Sequence, residues 1–253
     1  MQFLLDHPVA FLAVMLVILG CTTRLGAAAQ RRWNVLEGDK RGDFDLVLGA
    51  TLTLLSLIVG FSYSMAASRY DQRKNLEEAE ANAIGTAYAR AGLLPATDAV
   101  KVRQLLRDYT SLRVQFYTVR DTGFRHELYR DTARKQSALW DAVVAPAAAT
   151  PNALSAIAVT SMNDAINSQS YAQAAAWNRI PKGAWLLLCT IGIVATLMIG
   201  YRFRPETRGR MLMLVLPSLI SISMFLIADI DCPLGGVIRV SPQNLLALQS
   251  ALS

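Results

Sequence analysis

Four apolar runs alternate with polar stretches along the chain. The first extends from Pro8 to Thr23 and continues past Arg24 through residues 25–29. The second covers residues 46–67 and the third residues 183–201, both without a charged side chain. The fourth covers residues 211–228 and is closed by Asp229 and Asp231. A helix crossing a bilayer core needs ~20 apolar residues, with ~17–25 tolerated. Runs two and three meet that requirement outright. Run four meets it with Pro217 inside, which a membrane helix accepts where neighbours satisfy the freed carbonyl. Run one requires Arg24 to snorkel to the surface along its aliphatic stem. A cleaved signal would carry a basic n-region, and Ile18-Leu19-Gly20-Cys21 resembles a lipoprotein processing box. Residues 1–7 hold no Lys or Arg and include Asp6, so run one is expected to remain an uncleaved first helix.

Between runs two and three, residues 68–182 have a helical pattern. Residues 68–91 are rich in Ala, Glu, Arg and Lys, all strong helix formers. Gly92 and Pro95 then mark a stop. With Thr97 as N-cap, the three- and four-residue spacing of Val102, Leu105, Leu106, Tyr109, Leu112 and Phe116 predicts an amphipathic helix. Asp121-Thr122-Gly123 reads as a turn. Residues 127–144 form a weaker helix on Leu139, Trp140 and Val143. Thr150-Pro151 reads as an N-cap and first helical residue before Leu154, Ile157, Ala158, Met162, Ala165 and Ile166. No period-two pattern of useful length and no internal repeat is present. The expected fold is an all-α integral membrane protein with four transmembrane helices and a helical bundle inserted between the second and third. Its expected divisions are 1–67 (helices one and two with a short basic loop), 68–182 (the bundle), 183–228 (helices three and four) and 229–253 (a turn and short C-terminal segment).

Composition agrees with that pattern: 53% of residues are hydrophobic and 17% charged, with mean hydropathy +0.31. Soluble domains carry about a quarter charged residues. Three cysteines (Cys21, Cys189, Cys232) cannot build a disulfide framework, and two histidines (His7, His126) limit imidazole chemistry. His126 has no Cys or second His nearby, and Gly235-Gly236 lacks the context of a phosphate loop. The expectation is therefore no enzyme, no metal and no cofactor.

The net charge is +6. Within 68–182 bases interleave with acids, as in Arg130-Asp131, so no basic stripe for nucleic acid emerges. The remaining excess sits at membrane edges, where the lipid bilayer is the partner. The two short loops hold Arg24, Arg31, Arg32, Lys40, Arg41, Arg202, Arg204, Arg208 and Arg210; the inserted block has Arg69, Arg73, Lys74, Arg179 and Lys182 near the membrane. The positive-inside rule places the short loops in the cytoplasm and both termini and the bundle on the outer side.

Three features are candidates for function. Run two carries a small and polar stripe: Gly49, Thr53, Ser56, Gly60, Tyr63 or Ser64, and Ala67. Such a stripe serves close helix packing or lines a pore. In a pore, Thr53, Ser56, Gly60 and Ser64 face the axis, with Leu57, Ile58 or Phe61 forming an apolar constriction. At the close of run four, Asp229 and Asp231 form either an interfacial stop or a charged cluster with Arg69 or Arg73 as partners. Two carboxylates alone make a weak site for a hard cation. Glu77-Glu78-x-Glu80 reads as a solvated helix face, and Gly85 within the same helix hints at close packing.

The motifs Phe61-Ser62, Ser68-Arg69-Tyr70, Arg73, Glu77-Glu78-Ala79, residues 82–88 and Leu94-Pro95 resemble a bacterial membrane family called bestrophin-like. Residues 105–109, Ala138-Leu139-Trp140, Ile180-Pro181 and the Asp229 to Gly236 motif fit it as well. A more distant resemblance leads to bestrophins, which are pentameric anion channels. Gly60-Phe61, Arg69-Tyr70 and Gln72 are similar to the end of their second membrane helix. Where bestrophins line their neck with Ile and Phe, this chain offers Leu57, Ile58 and Phe61, and their acidic calcium clasp corresponds at most to Asp229 and Asp231. The resemblance implies a homo-oligomer, a pentamer by analogy, that passes inorganic anions. It also implies a cytoplasmic bundle, opposite to the charge count. A non-conducting scaffold or sensor whose bundle binds a protein partner is the other reading.

Overall fold

The structure is a computed structural model that describes residues 2–33, 39–119, 122–203, 211–233 and 235–253. Among these residues every regular element is helical: α1 (Gln2–Asp6), α2 (Pro8–Trp33), α3 (Asp39–Arg90), α4 (Ala96–Thr118), α5 (Thr122–Ala149), α6 (Ala153–Trp177), α7 (Lys182–Arg202), α8 (Leu212–Asp231) and α9 (Gln243–Leu252), with one 3-10 turn at Ala91–Leu93. The chain forms two compact units, Met1–Arg69 with Arg179–Arg239, and Tyr70–Asn178 with Val240–Ser253. Residues 229–253, grouped together from the sequence, thus divide between the units after Arg239. Arg204, Arg208 and Arg210 of the second basic loop, and Asp121 of the expected turn, lie outside the described residues.

In the first unit, four helical stretches are long and apolar enough to cross a membrane, within α2, α3, α7 and α8. The small residues that let membrane helices approach sit between α2 and α7. A Cβ on Gly26 would lie 2.0 Å from the Leu197 carbonyl oxygen, and one on Gly200 would lie 1.9 Å from that of Thr23. The hydroxyls of Thr22 and Thr196 meet at 2.8 Å in the same seam. Toward the other end of α2, Phe11 packs edge-on against the fully buried Trp185 at 5.5 Å between ring centroids. The start of α3 is tied to the end of α7 by Arg202–Asp45 at 2.5 Å.

The second unit is a helical bundle with Ile84, Val102, Leu106, Tyr109, Leu139, Met162 and Leu245 in its core. The α4 spacing buries Val102, Leu106, Tyr109 and Phe116 as its periodicity requires. Other local signals resolve differently. α4 begins at Ala96 after Pro95 rather than at a Thr97 cap. Asn152, not Thr150, caps α6, in a reciprocal capping box with Ser155. Gly123 lies inside α5, and so does Pro146, so the helix continues past residue 144 to Ala149. Trp140, Leu154 and Ile157 are exposed, because α5 and α6 bury the neighbouring faces carrying Leu139, Val143, Ala158 and Met162.

Candidate functional site

The pore candidates occupy one face of α3. Thr53, Ser56, Gly60 and Ser64, with Leu57 and Phe61 beside them, are exposed on the single chain, while Leu55, Ser62 and Ala66 are buried on the opposite face. Residues three, four and seven apart share a side of a helix, so the division follows from α3's own periodicity. Leu57 is 52% and Phe61 65% exposed. A Cβ on Gly60 or Gly49 would meet nothing within 4 Å, unlike those on Gly26 and Gly200. The hydroxyls bond back along the helix: Thr53 Oγ1 donates to the Gly49 carbonyl at 2.9 Å and Ser56 Oγ to the Thr53 carbonyl at 2.8 Å. Those bonds leave the oxygen lone pairs outward on an otherwise apolar surface.

The two acidic candidates stand at the end of α8. Asp229 and Asp231 are 1% exposed. Asp229 accepts hydrogen bonds from the backbone N–H groups of Val237 and Ile238, both at 2.7 Å. These amides come from the turn after α8, where a Cβ on Gly236 would lie 2.5 Å from the Asp229 carbonyl oxygen. The donors reach this carboxylate because the chain folds back on itself within a few residues of α8. Asp231 accepts from the Ile180 N–H at 3.1 Å and lies 3.6 Å from the Arg179 guanidinium, which also pairs with Asp6. Arg179 entered the sequence reading only as a charge at a membrane edge. Asp229 and Asp231 both accept from N–H donors, and no group of acids, histidines and cysteines suited to a metal occurs among the described residues. Arg69 ends the first unit, with its Nη2 3.6 Å from the Met65 sulfur; Arg73 belongs to the second unit and is buried.

The bundle holds a charged site that the sequence reading assigned to solvent. Glu77 and Glu80 are 1% and 0% exposed, and only Glu78 of the run faces outward. Arg113 forks onto Glu80, stacks over Phe116 at 4.4 Å, and leaves Tyr117 Oη to donate to the same carboxylate at 3.3 Å. Glu77 accepts from Asn244 Nδ2 at 2.7 Å and from the Leu245 N–H at 2.9 Å, capping the first turn of α9 from another helix. Arg107 Nε donates to the Leu252 carbonyl at the other end of α9, at 2.5 Å. A Cβ on Gly85 would press on Leu248 at 3.3 Å, which is the close packing that glycine accommodates. The spacing of Glu77, Glu80, Ile84 and Ala87 on one helix face was the available signal. Burial pushes the Tyr109 hydroxyl up to about 12, with Arg113 opposing and Glu80 adding to the rise. Burial likewise raises Tyr117. At Arg113 burial acts downward, and Glu80 outweighs it, so the guanidinium is held more firmly protonated.

The sequence profile of the Bestrophin-like domain family matches residues 13–245. No curated protein sequence matches the chain. Among solved structures, the fold is similar to a bacterial bestrophin homologue from Klebsiella pneumoniae, with TM-score 0.66 and 12% identity over 96% of this chain and 98% of that one. A variant of that homologue gives 0.64 at 14% identity, over 96% and 98% of the two chains. A variant of a membrane protein gives 0.67 at 12% identity, over 94% and 95%.

Proposed function

The chain belongs to the Bestrophin-like family, and from that membership we propose that it is a homo-oligomeric channel for inorganic anions in the bacterial inner membrane. In this reading copies of α3 surround a central axis. The observation that carries it is the face of Thr53, Ser56, Gly60 and Ser64, which is small, partly polar and unpacked on its own chain. Lipid gives such a face no reason to be small, whereas a ring of like helices does. Leu57 and Phe61 at its edge supply an apolar constriction that can gate by dewetting. Arg69, past the constriction on the same helix, supplies positive potential for anions. Purified protein in planar bilayers under a chloride gradient tests the reading: anion-selective current supports it, and its repeated absence from well-folded oligomer rejects it.

A scaffold that binds a protein partner is the second reading. What favours it is an open recess of about 550 Å³ on the bundle, lined by Asp108, Asp131, Arg134 and Lys135, with both signs of charge in reach of a polar ligand. Oligomeric state separates the two. A ring of four or more subunits fits the channel, and a monomer or twofold dimer fits the scaffold.

A further inference from the structure

We infer that a recess between α2 and α8 holds an anionic phospholipid, with its phosphate between Arg24 and Arg31. The recess has a volume of about 350 Å³. Arg24, Ala27, Ala28 and Arg31 line it from α2, and Met213 and Leu214 from α8. Arg24 and Arg31 are seven residues apart, two turns or about 10 Å along one face of the helix. Arg24 lies within a helix long and apolar enough to span the membrane.

A guanidinium within a membrane-spanning helix needs a counter-charge or a route to water. The other arginines of the first unit with described ion partners take them from protein: Arg179 from Asp6 and Asp231, and Arg202 from Asp45. No carboxylate among the described residues pairs with Arg24 or Arg31. The Thr23 hydroxyl beside them is committed to the Leu19 carbonyl at 2.8 Å. Two cations thus converge on a cavity whose remaining walls are methyl, methylene and thioether groups. A phosphodiester satisfies the cations, since guanidinium binds phosphate through paired N–H groups. The attached acyl chain satisfies the walls of Met213 and Leu214. A soluble anion would satisfy only the first requirement. Basic recesses between membrane helices have this headgroup preference in general.

The test is native mass spectrometry of the full-length protein in detergent, titrated separately with phosphatidylglycerol, phosphatidylcholine and the soluble headgroup glycerol phosphate. Phosphatidylglycerol should remain bound in preference to phosphatidylcholine. Arg24→Gln and Arg31→Gln should each weaken that preference roughly ten-fold, from the lost headgroup attraction. Ala28→Phe should weaken retention of phosphatidylglycerol with both charges intact, by filling the cavity. Arg32→Gln, which leaves the lining unchanged, should retain wild-type preference. Equal retention of both lipids, undiminished preference in the Arg24, Arg31 and Ala28 variants, or glycerol phosphate displacing the lipid at equal concentration would each overturn the assignment. If one variant fails to fold, the other two carry the test.

Discussion

The Glu80 carboxylate receives the Arg113 guanidinium with both side chains wholly removed from solvent. Neither has water to fall back on, so each depends on the other for its charge. Truncating one partner leaves an uncompensated buried ion, which costs about 3–5 kcal/mol in known cases. Arg113→Met alone and Glu80→Gln alone should therefore each lower the melting temperature sharply. The double variant should recover much of the loss, because the deserted charge is gone. Thermal unfolding of the four proteins in one detergent measures this, and additive losses would show that the pair is not energetically coupled.

Tyr109 gives the bundle a pH dependence. Its hydroxyl rises from an ordinary 10.0 to about 12 in the fold, mainly because it is buried. The unfolded chain ionises first, so the stabilising contribution is complete below about pH 10 and is lost as pH climbs toward 12. A shift of that size corresponds to roughly 2–3 kcal/mol. Denaturant melts between pH 9 and 12 should show the decline, and Tyr109→Phe should flatten it. Tyr117 moves in the same direction, so some slope should remain in the variant.

Asp231 joins the chain before α7 to the end of α8 through the Ile180 N–H and Arg179. Asp231→Ala would strand the buried Ile180 amide and leave Arg179 with Asp6 as its carboxylate, at about 1–3 kcal/mol for an unsatisfied group. Arg179→Gln should cost less, since the Ile180 N–H keeps its acceptor. Melting temperatures that place Arg179→Gln below Asp231→Ala would reverse this order and put the weight on the Arg179–Asp6 contact.

Nine bases in the two short loops against five beside the bundle lead us to expect a periplasmic bundle. An alkaline phosphatase fusion after Gly123 should be active and a fluorescent-protein fusion there dark. The opposite pattern would place the bundle in the cytoplasm, as the distant bestrophin resemblance implies.

If α3 helices ring an axis, substitutions on the exposed face act on current rather than on folding. Gly60→Leu should block, because Gly60 has open space on its own chain and only other copies to meet. Phe61→Ala should raise current by widening the constriction. Arg69→Glu should shift the reversal potential toward cations. Bilayer recordings of each variant beside wild type check all three. Unchanged conductance and selectivity in every variant would leave the face to lipid.

Run lengths and uncharged stretches determined the membrane helices, because a hydrocarbon core imposes a requirement that one-dimensional composition already expresses. The α4 core was legible for a similar reason: an amphipathic helix records its buried face in its own spacing. Which small residues touch another helix was not legible. Gly26 and Gly200 press backbone to backbone, while Gly49 and Gly60 open onto space, and nothing local distinguishes them. The destination of the acids was hidden likewise. Glu77 and Glu80 sit in a charge run typical of a solvated face, but α4 and α9 bring Arg113, Asn244 and a helix N-terminus onto them. Asp231 finds Arg179 across 52 residues of sequence by count of position, through α7 and α8. A buried charge is permitted only by its partners, and partners distant along the chain become neighbours only when the fold closes.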